Sequence, residues 1–210
     1  MQKSLITILV AGLMAPALSF AEKGDIVVRA RVTHIAPDES SHLVSTVGDK
    51  LEVNSNTIPE IDFSYYFTKN IAAELILAVG SRHDVNIGGS GANAGAKLGS
   101  INLLPPTLTA QWHFNPDQTI DPYVGAGMSY IRAMDRNLNL DTTGITVERN
   151  MFGPALQAGA DYNLPNKWLI NFDVKKIWFS TDVYTTANGA KIDSLDIDPW
   201  VVSFGVGKKF

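Results

Sequence analysis

LGSINLLPPTLTAQWHF, residues Leu98 to Phe114, joins an alternating run to a pair of prolines. Its second half alternates, with Leu108, Ala110, Trp112 and Phe114 on one parity and Thr107, Thr109, Gln111 and His113 on the other. That is the period of a β-strand. Immediately before it stand Pro105 and Pro106, which have no N–H to give a ladder and belong at an edge, a strand start or a bulge. A sheet closed on itself has no edge. Two adjacent prolines inside its wall therefore predict unpaired carbonyls and a lateral opening between strands, bounded by Leu103, Leu104, Pro105, Pro106 and Thr107.

Outward from this stretch, period-two runs mark eight strands at about 25–36, 57–67, 71–80, 99–114, 122–133, 151–163, 168–180 and 197–210. The count is even, as a closed single-chain barrel requires. Connections alternate in length: 68–70, 115–121 and 164–167 are short and rich in Asn, Asp and Pro, whereas 37–56, 81–98, 134–150 and 181–196 are long and polar. Short turns share one end and long loops the other. This predicts an all-β, eight-stranded, antiparallel up-and-down transmembrane barrel with short periplasmic turns and long extracellular loops.

The strand faces separate a membrane barrel from a soluble one. Ile61, Phe63, Tyr65 and Phe67 alternate with Glu60, Asp62, Ser64 and Tyr66; Ile71, Ala73, Leu75, Leu77 and Val79 alternate with Glu74 and small residues. Phe152, Leu156, Ala158 and Tyr162 oppose Gln157, Gly159 and Asp161, and Trp168, Ile170, Phe172 and Val174 oppose Asn171, Asp173 and Lys175. Eight strands enclose a bore that side chains just fill, too narrow for so many rings, so the apolar face points outward. A soluble barrel of lipocalin type would need the reverse. Trp168 and Trp178 share a parity ten residues apart, roughly 25 Å along the axis at about 3.3 Å per residue and a tilt of about 40°. With Trp112, Trp200 and Phe210 they form the expected aromatic girdle.

Positions 1–21 read as a secretory signal, with Lys3, an apolar stretch from Leu5 to Leu18, and Ser19 and Ala21 before the cleavage point. That stretch is short for a membrane anchor, which needs roughly 20 residues. Residues 22–210 then form one barrel domain. The formal charge of −4 over the whole chain gives no basic patch for nucleic acid. With no cysteine, thiol catalysis, thiolate metal sites and disulfide scaffolds are excluded.

Several segments together resemble the OmpW family of outer-membrane proteins: LPPTLTAQWHF (104–114), PYVGAGMSY (122–130), FGPALQAGADY (152–162), KWLINFDVKKI (167–177) and LDIDPWVVSFGVGKKF (195–210). The resemblance implies an outer-membrane barrel whose interior is apolar toward the outside and polar toward the periplasm, and a role in passage of small hydrophobic molecules. The chain ends on Phe210 after an alternating strand, which looks like the signal read by the barrel assembly machinery. Lys208 departs from that pattern but can snorkel at the periplasmic interface.

Lumen-parity Arg29, Arg31, Glu60, Asp62, Glu74, Asp161, Asp173 and Lys175 form a mixed-sign set, read as a salt-bridged polar plug, the alternative being an ion-selective constriction. His34, His42, His83 and His113 are scattered, with no base, nucleophile and orienting group together and no metal-ligand spacing, so no enzyme, metal or cofactor is expected. GGSGANAG (88–95) reads as flexible loop, and Asp182, Asp193, Asp196 and Asp198 as an acidic, solvated fourth loop. The expected partners are outer-membrane lipid, lipopolysaccharide and small hydrophobic molecules. The leading reading is passive passage of such molecules with lateral exit near Pro105 and Pro106; the alternative is a non-conducting structural or receptor barrel that acts through its loops.

Overall fold

Alternation fixes which surface each strand shows, and pairing then decides whether those surfaces close. The computed structural model describes residues 22–41, 48–78, 80–136 and 138–210; the expected signal segment, His42 and Val79 lie outside them. In chain order the strands are β1 (Ile26–Ala36), β2 (Asp49–Val53), β3 (Asn56–Tyr66), β4 (Ile71–Ala78), β5 (Ser81–Gly89), β6 (Lys97–Leu104), β7 (Thr107–His113), β8 (Ile120–Asp135), β9 (Leu138–Leu140), β10 (Thr143–Val147), β11 (Asn150–Asn163), β12 (Trp168–Ile177), β13 (Ser180–Thr185), β14 (Lys191–Asp196) and β15 (Trp200–Lys209).

Eight of these close a ring in the order β1, β3, β4, β7, β8, β11, β12, β15, each antiparallel to the next. β15 returns to β1 with Val27 opposite Lys209 and Ala36 opposite Trp200, so the barrel is closed as expected. Closure satisfies the wall's backbone groups internally, which a bilayer demands. The outward parity is apolar: Leu108 is 57 % exposed and Trp112 48 %, while Thr109 and His113 on the inward parity are 1 % and 0 % exposed.

The rings of Trp112, Trp168 and Phe210 lie at the short-turn end, and Trp200 and Trp178 at the other. Lys208 carries its ammonium 5.3 Å from the Trp168 ring and 5.7 Å from that of Phe210, and Lys176 lies 5.1 Å from Trp200. Each stem runs along the apolar surface while its charge meets an aromatic face at the boundary.

The four long loops are where expectation and structure part. They are largely strands: β2, β5 and β6 extend the wall, and β14-β13-β10-β9 form a separate four-stranded sheet. Leu51, Val53, Val85, Ile87, Ile145, Val147, Val183 and Leu195 are buried in one cluster with Ile131, Ala155 and Ile177 of the barrel. β2, β9, β10, β13 and β14 are only three to six residues long, and β2 with β5 and β10 with β13 pair between different loops, so polar flanks hide them in sequence. The GGSGANAG segment is likewise an ordered hairpin, not a flexible loop. Gly89 takes φ 91°, a conformation side chains resist, and the Asp49 carboxylate accepts from Asn93 Nδ2 at 2.9 Å. The fourth loop is not simply solvated either, since Asp193 is buried. Asp182 is 2.7 Å from Lys191, whose hydrogen bond holds that carboxyl below its usual range. Strand seven stops at Ile177, leaving Trp178 beyond β12.

Candidate functional site

Inward residues of the lower barrel meet across the bore. All eight charged residues expected there are buried. Arg29 reaches Asp62 at 2.9 Å, Asp161 at 2.7 Å and the Ser64 hydroxyl at 2.7 Å. Arg31 pairs with Asp62 and Glu74, and Lys175 with Asp173. Gln157 sits between: its Nε2 donates to Glu74 Oε2 and to Asp173 Oδ2, each at 2.7 Å, and its Oε1 accepts from Thr109 at 2.9 Å. A buried charge is tolerated when paired and hydrogen-bonded, and here each is paired, Glu60 only at longer range by Arg31 Nε at 3.6 Å and Lys175 Nζ at 3.9 Å.

Toward the turn end the network continues through His113 and through Tyr66, Tyr123 and Asp121. His113 Nδ1 lies 2.8 Å from Asp121, the Tyr66 hydroxyl 3.1 Å from His113 Nε2, and the Tyr123 hydroxyl donates to Asp173 at 2.8 Å. Gly159 makes room for this floor: a Cβ there would stand 2.5 Å from the Tyr123 ring. A polar parity shows in sequence that Gln157 and Tyr123 face inward, but not that they bridge charges.

Above this floor the lumen turns apolar. A cavity of about 50 Å³ is walled by Ile35, Val53, Ile76, Ala78, Leu103, Pro105, Ile131, Ile177, Phe179, Ile197, Pro199 and Val201. Glu60 and Lys175 rise into its base, joined by Thr33, Thr107, Ser81 and His83.

Beside this cavity the described pairing differs on the two sides of Pro105 and Pro106. Toward β8, pairing runs almost continuously from Leu104 opposite Arg132 to Thr107 opposite Ser129, with Tyr130 N–H donating to the Pro106 carbonyl at 2.9 Å. Toward β4, pairing stops at Ile76 opposite Thr107 and resumes between β5 and β6 at Ser81 opposite Leu103. Among the described residues the register holds no pair between these points, with Leu77, Ala78 and Gly80 on one side and Leu104 to Pro106 on the other. The expected orphan carbonyls are not orphaned, since Pro105 O accepts from Thr107 Oγ1 at 3.3 Å and Pro106 O from Tyr130. Strand four is accordingly two strands, β6 and β7.

Three histidines fall within the described residues. His34 touches Thr57 at 2.9 Å on the exposed rim, and His113 belongs to the floor. His83 is different. It lies 2.7 Å from Ser81 Oγ through Nε2 and 2.7 Å from the Asn54 carbonyl through Nδ1, a grouping absent from the sequence reading. The signal was there, because residues two apart share a face once 81–89 is a strand. His83 stands above the girdle, and burial holds its imidazole below the usual value of 6.5.

Known proteins place this geometry. The OmpW family model matches residues 22–210. Among relatives, an uncharacterized outer-membrane protein of Sinorhizobium fredii, y4mB, is 38% identical over 185 residues, covering 87% of this chain and 79% of that one. Outer membrane protein W of Vibrio cholerae is 31% identical over 220 residues and the full length of both chains. Among solved structures, the crystal structure of the outer membrane protein OprG from Pseudomonas aeruginosa superposes with a TM-score of 0.77 at 27% identity, covering 92% of this chain and 99% of that one. With the closed barrel and its apolar outer band, these matches show that the chain belongs to the OmpW family and is an eight-stranded barrel of the outer membrane.

Proposed function

We propose that the protein passes small hydrophobic molecules from outside into the membrane: the solute enters among the extracellular strands, occupies the apolar chamber and leaves sideways between β4 and Pro105. One observation carries this reading. Ile76, Ala78, Leu103, Pro105 and Thr107 line the chamber and also bound the interruption in the wall. Descent would cross the charged floor, whereas an apolar solute gains about 25 cal/mol per Å² on entering hydrocarbon, so the downhill route is lateral. At about 50 Å³ the chamber is smaller than the roughly 150 Å³ apolar cavity that accepts benzene, so occupancy must widen it, and the unpaired wall is where it can yield.

In this reading Arg29, Arg31, Glu60, Asp62, Glu74, Asp161, Asp173 and Lys175 act as the plug, and Trp112, Trp168, Trp178, Trp200 and Phe210 anchor the barrel in lipid and lipopolysaccharide. The strand ending on Phe210 would engage the assembly machinery. No catalytic step is assigned. A receptor-like role through the loops finds support in the separate four-stranded sheet above the barrel. The test is uptake of an apolar dye by cells carrying Ala78→Trp, which fills the chamber. Uptake should fall to that of cells lacking the protein; a folded variant with full uptake would remove the transport reading and leave the loop reading.

A further inference from the structure

Six polar side chains line the chamber, and their hydrogen-bonding capacity differs. The Thr33 hydroxyl pairs with Ser203 at 2.8 Å, that of Thr107 with Ser129 at 2.8 Å, and the Lys175 ammonium donates to Asp173. His83 Nδ1 lies 2.7 Å from the Asn54 carbonyl, which can only accept, so Nδ1 carries the proton. The neutral ring then has Nε2 as an acceptor, and Ser81, 2.7 Å away, donates its single hydrogen there. What remains free on Ser81 is oxygen lone pairs. Burial keeps the ring neutral against the opposing effects of Asp84 and the Asn54 hydrogen bond.

Glu60 offers the second acceptor. Its Oε1 is buried without a hydrogen-bond partner; Arg31 Nε at 3.6 Å and Lys175 Nζ at 3.9 Å balance its charge but are too distant to donate well. An apolar chamber with unfilled acceptors at its base and on its wall has a chemical preference.

We propose that the chamber selects apolar molecules that carry a hydrogen-bond donor, an alcohol or a phenol rather than a hydrocarbon or an ether, with the ligand hydroxyl donating to Glu60 or to Ser81. A buried acceptor left without a donor is costly, and a site built around such groups discriminates against the analogue that lacks the hydroxyl. The apolar walls take the rest of the molecule. The inference rests on the proposed occupancy of the chamber and specifies its ligand class.

The experiment titrates the full chain in lipid nanodiscs with phenol, anisole and toluene, each corrected for partition into protein-free discs. Methyl chemical shifts of labelled Ile76 and Ile177 report occupancy of the chamber. Phenol should bind roughly three- to tenfold more tightly than anisole or toluene, the factor one hydrogen bond supplies. Ser81→Ala combined with His83→Phe, which removes the hydroxyl oxygen and the imidazole nitrogen it would otherwise expose, should narrow that ratio, and Glu60→Gln, whose amide can donate, should move it toward anisole. Equal binding of the three by the unaltered protein overturns the selectivity while leaving occupancy standing, and needs no variant to fold. A phenol preference untouched in both variants also overturns it. Binding of none of the three defeats the transport reading itself.

Discussion

The two prolines are not equivalent, and separating them tests the lateral exit. Along an extended chain the N–H and C=O of one residue point to the same side and those of the next residue to the other. Pro106 accepts from Tyr130, so position 106 faces β8, and position 105 faces the unpaired side toward β4. Pro106→Val would add a donor to a ladder that is already nearly continuous, worth about 0.5–1.5 kcal/mol net. Loss of the ring frees the unfolded chain by about 0.4–1 kcal/mol, so stability should change little. Pro105→Val carries the same two terms, but its donor points toward the β4 side and is satisfied only if the walls draw together. Both variants should therefore fold, with heat-dependent gel mobility shifts within a few degrees of the parent. Uptake of an apolar dye into proteoliposomes should drop for Pro105→Val and hold for Pro106→Val. A folded Pro105→Val barrel with full uptake, or loss of uptake from Pro106→Val alone, would refute the reasoning.

Other perturbations address other parts. Leu75→Arg, on the outward parity of β4, should cost about 2–4 kcal/mol in urea unfolding from lipid vesicles, and a cost near zero would mean that the face is not in hydrocarbon. Gln157→Leu strips one donor each from Glu74 and Asp173 and should destabilise the barrel by about 2–4 kcal/mol in the same assay; a neutral effect would show water replacing the amide. Because burial holds His83 below 6.5, the unfolded chain takes up that proton first as pH falls. Stability present above about pH 6.5 is then lost on acidification, so between about pH 7.5 and about pH 5 the parent should lose more than His83→Gln. Equal losses would assign the acid sensitivity elsewhere.

The barrel itself was legible in the chain because a strand in a membrane wall has one side in lipid and one in the bore. That imposes a strict two-residue alternation, and Thr107 to Phe114 or Trp168 to Lys175 show it without help from any neighbour. The split of strand four into β6 and β7 was legible at Pro105 and Pro106 for a similarly local reason, since the missing donor is a property of the residue. The extracellular strands were hidden because segments such as Asp49–Val53 and Thr143–Val147 bury their apolar residues in a cluster shared with other loops and with the barrel, far apart in sequence. Which side of strand four is open, that Gln157 bridges Glu74 and Asp173, and that Ser81 spends its hydrogen on His83 all depend on register and rotamer. Which residues face lipid and which face the lumen follows from the alternation of the chain alone. Which lumen residues satisfy one another, and which are left with capacity for a ligand, emerges on folding, because hydrogen bonds across a closed bore join strands that no local pattern connects.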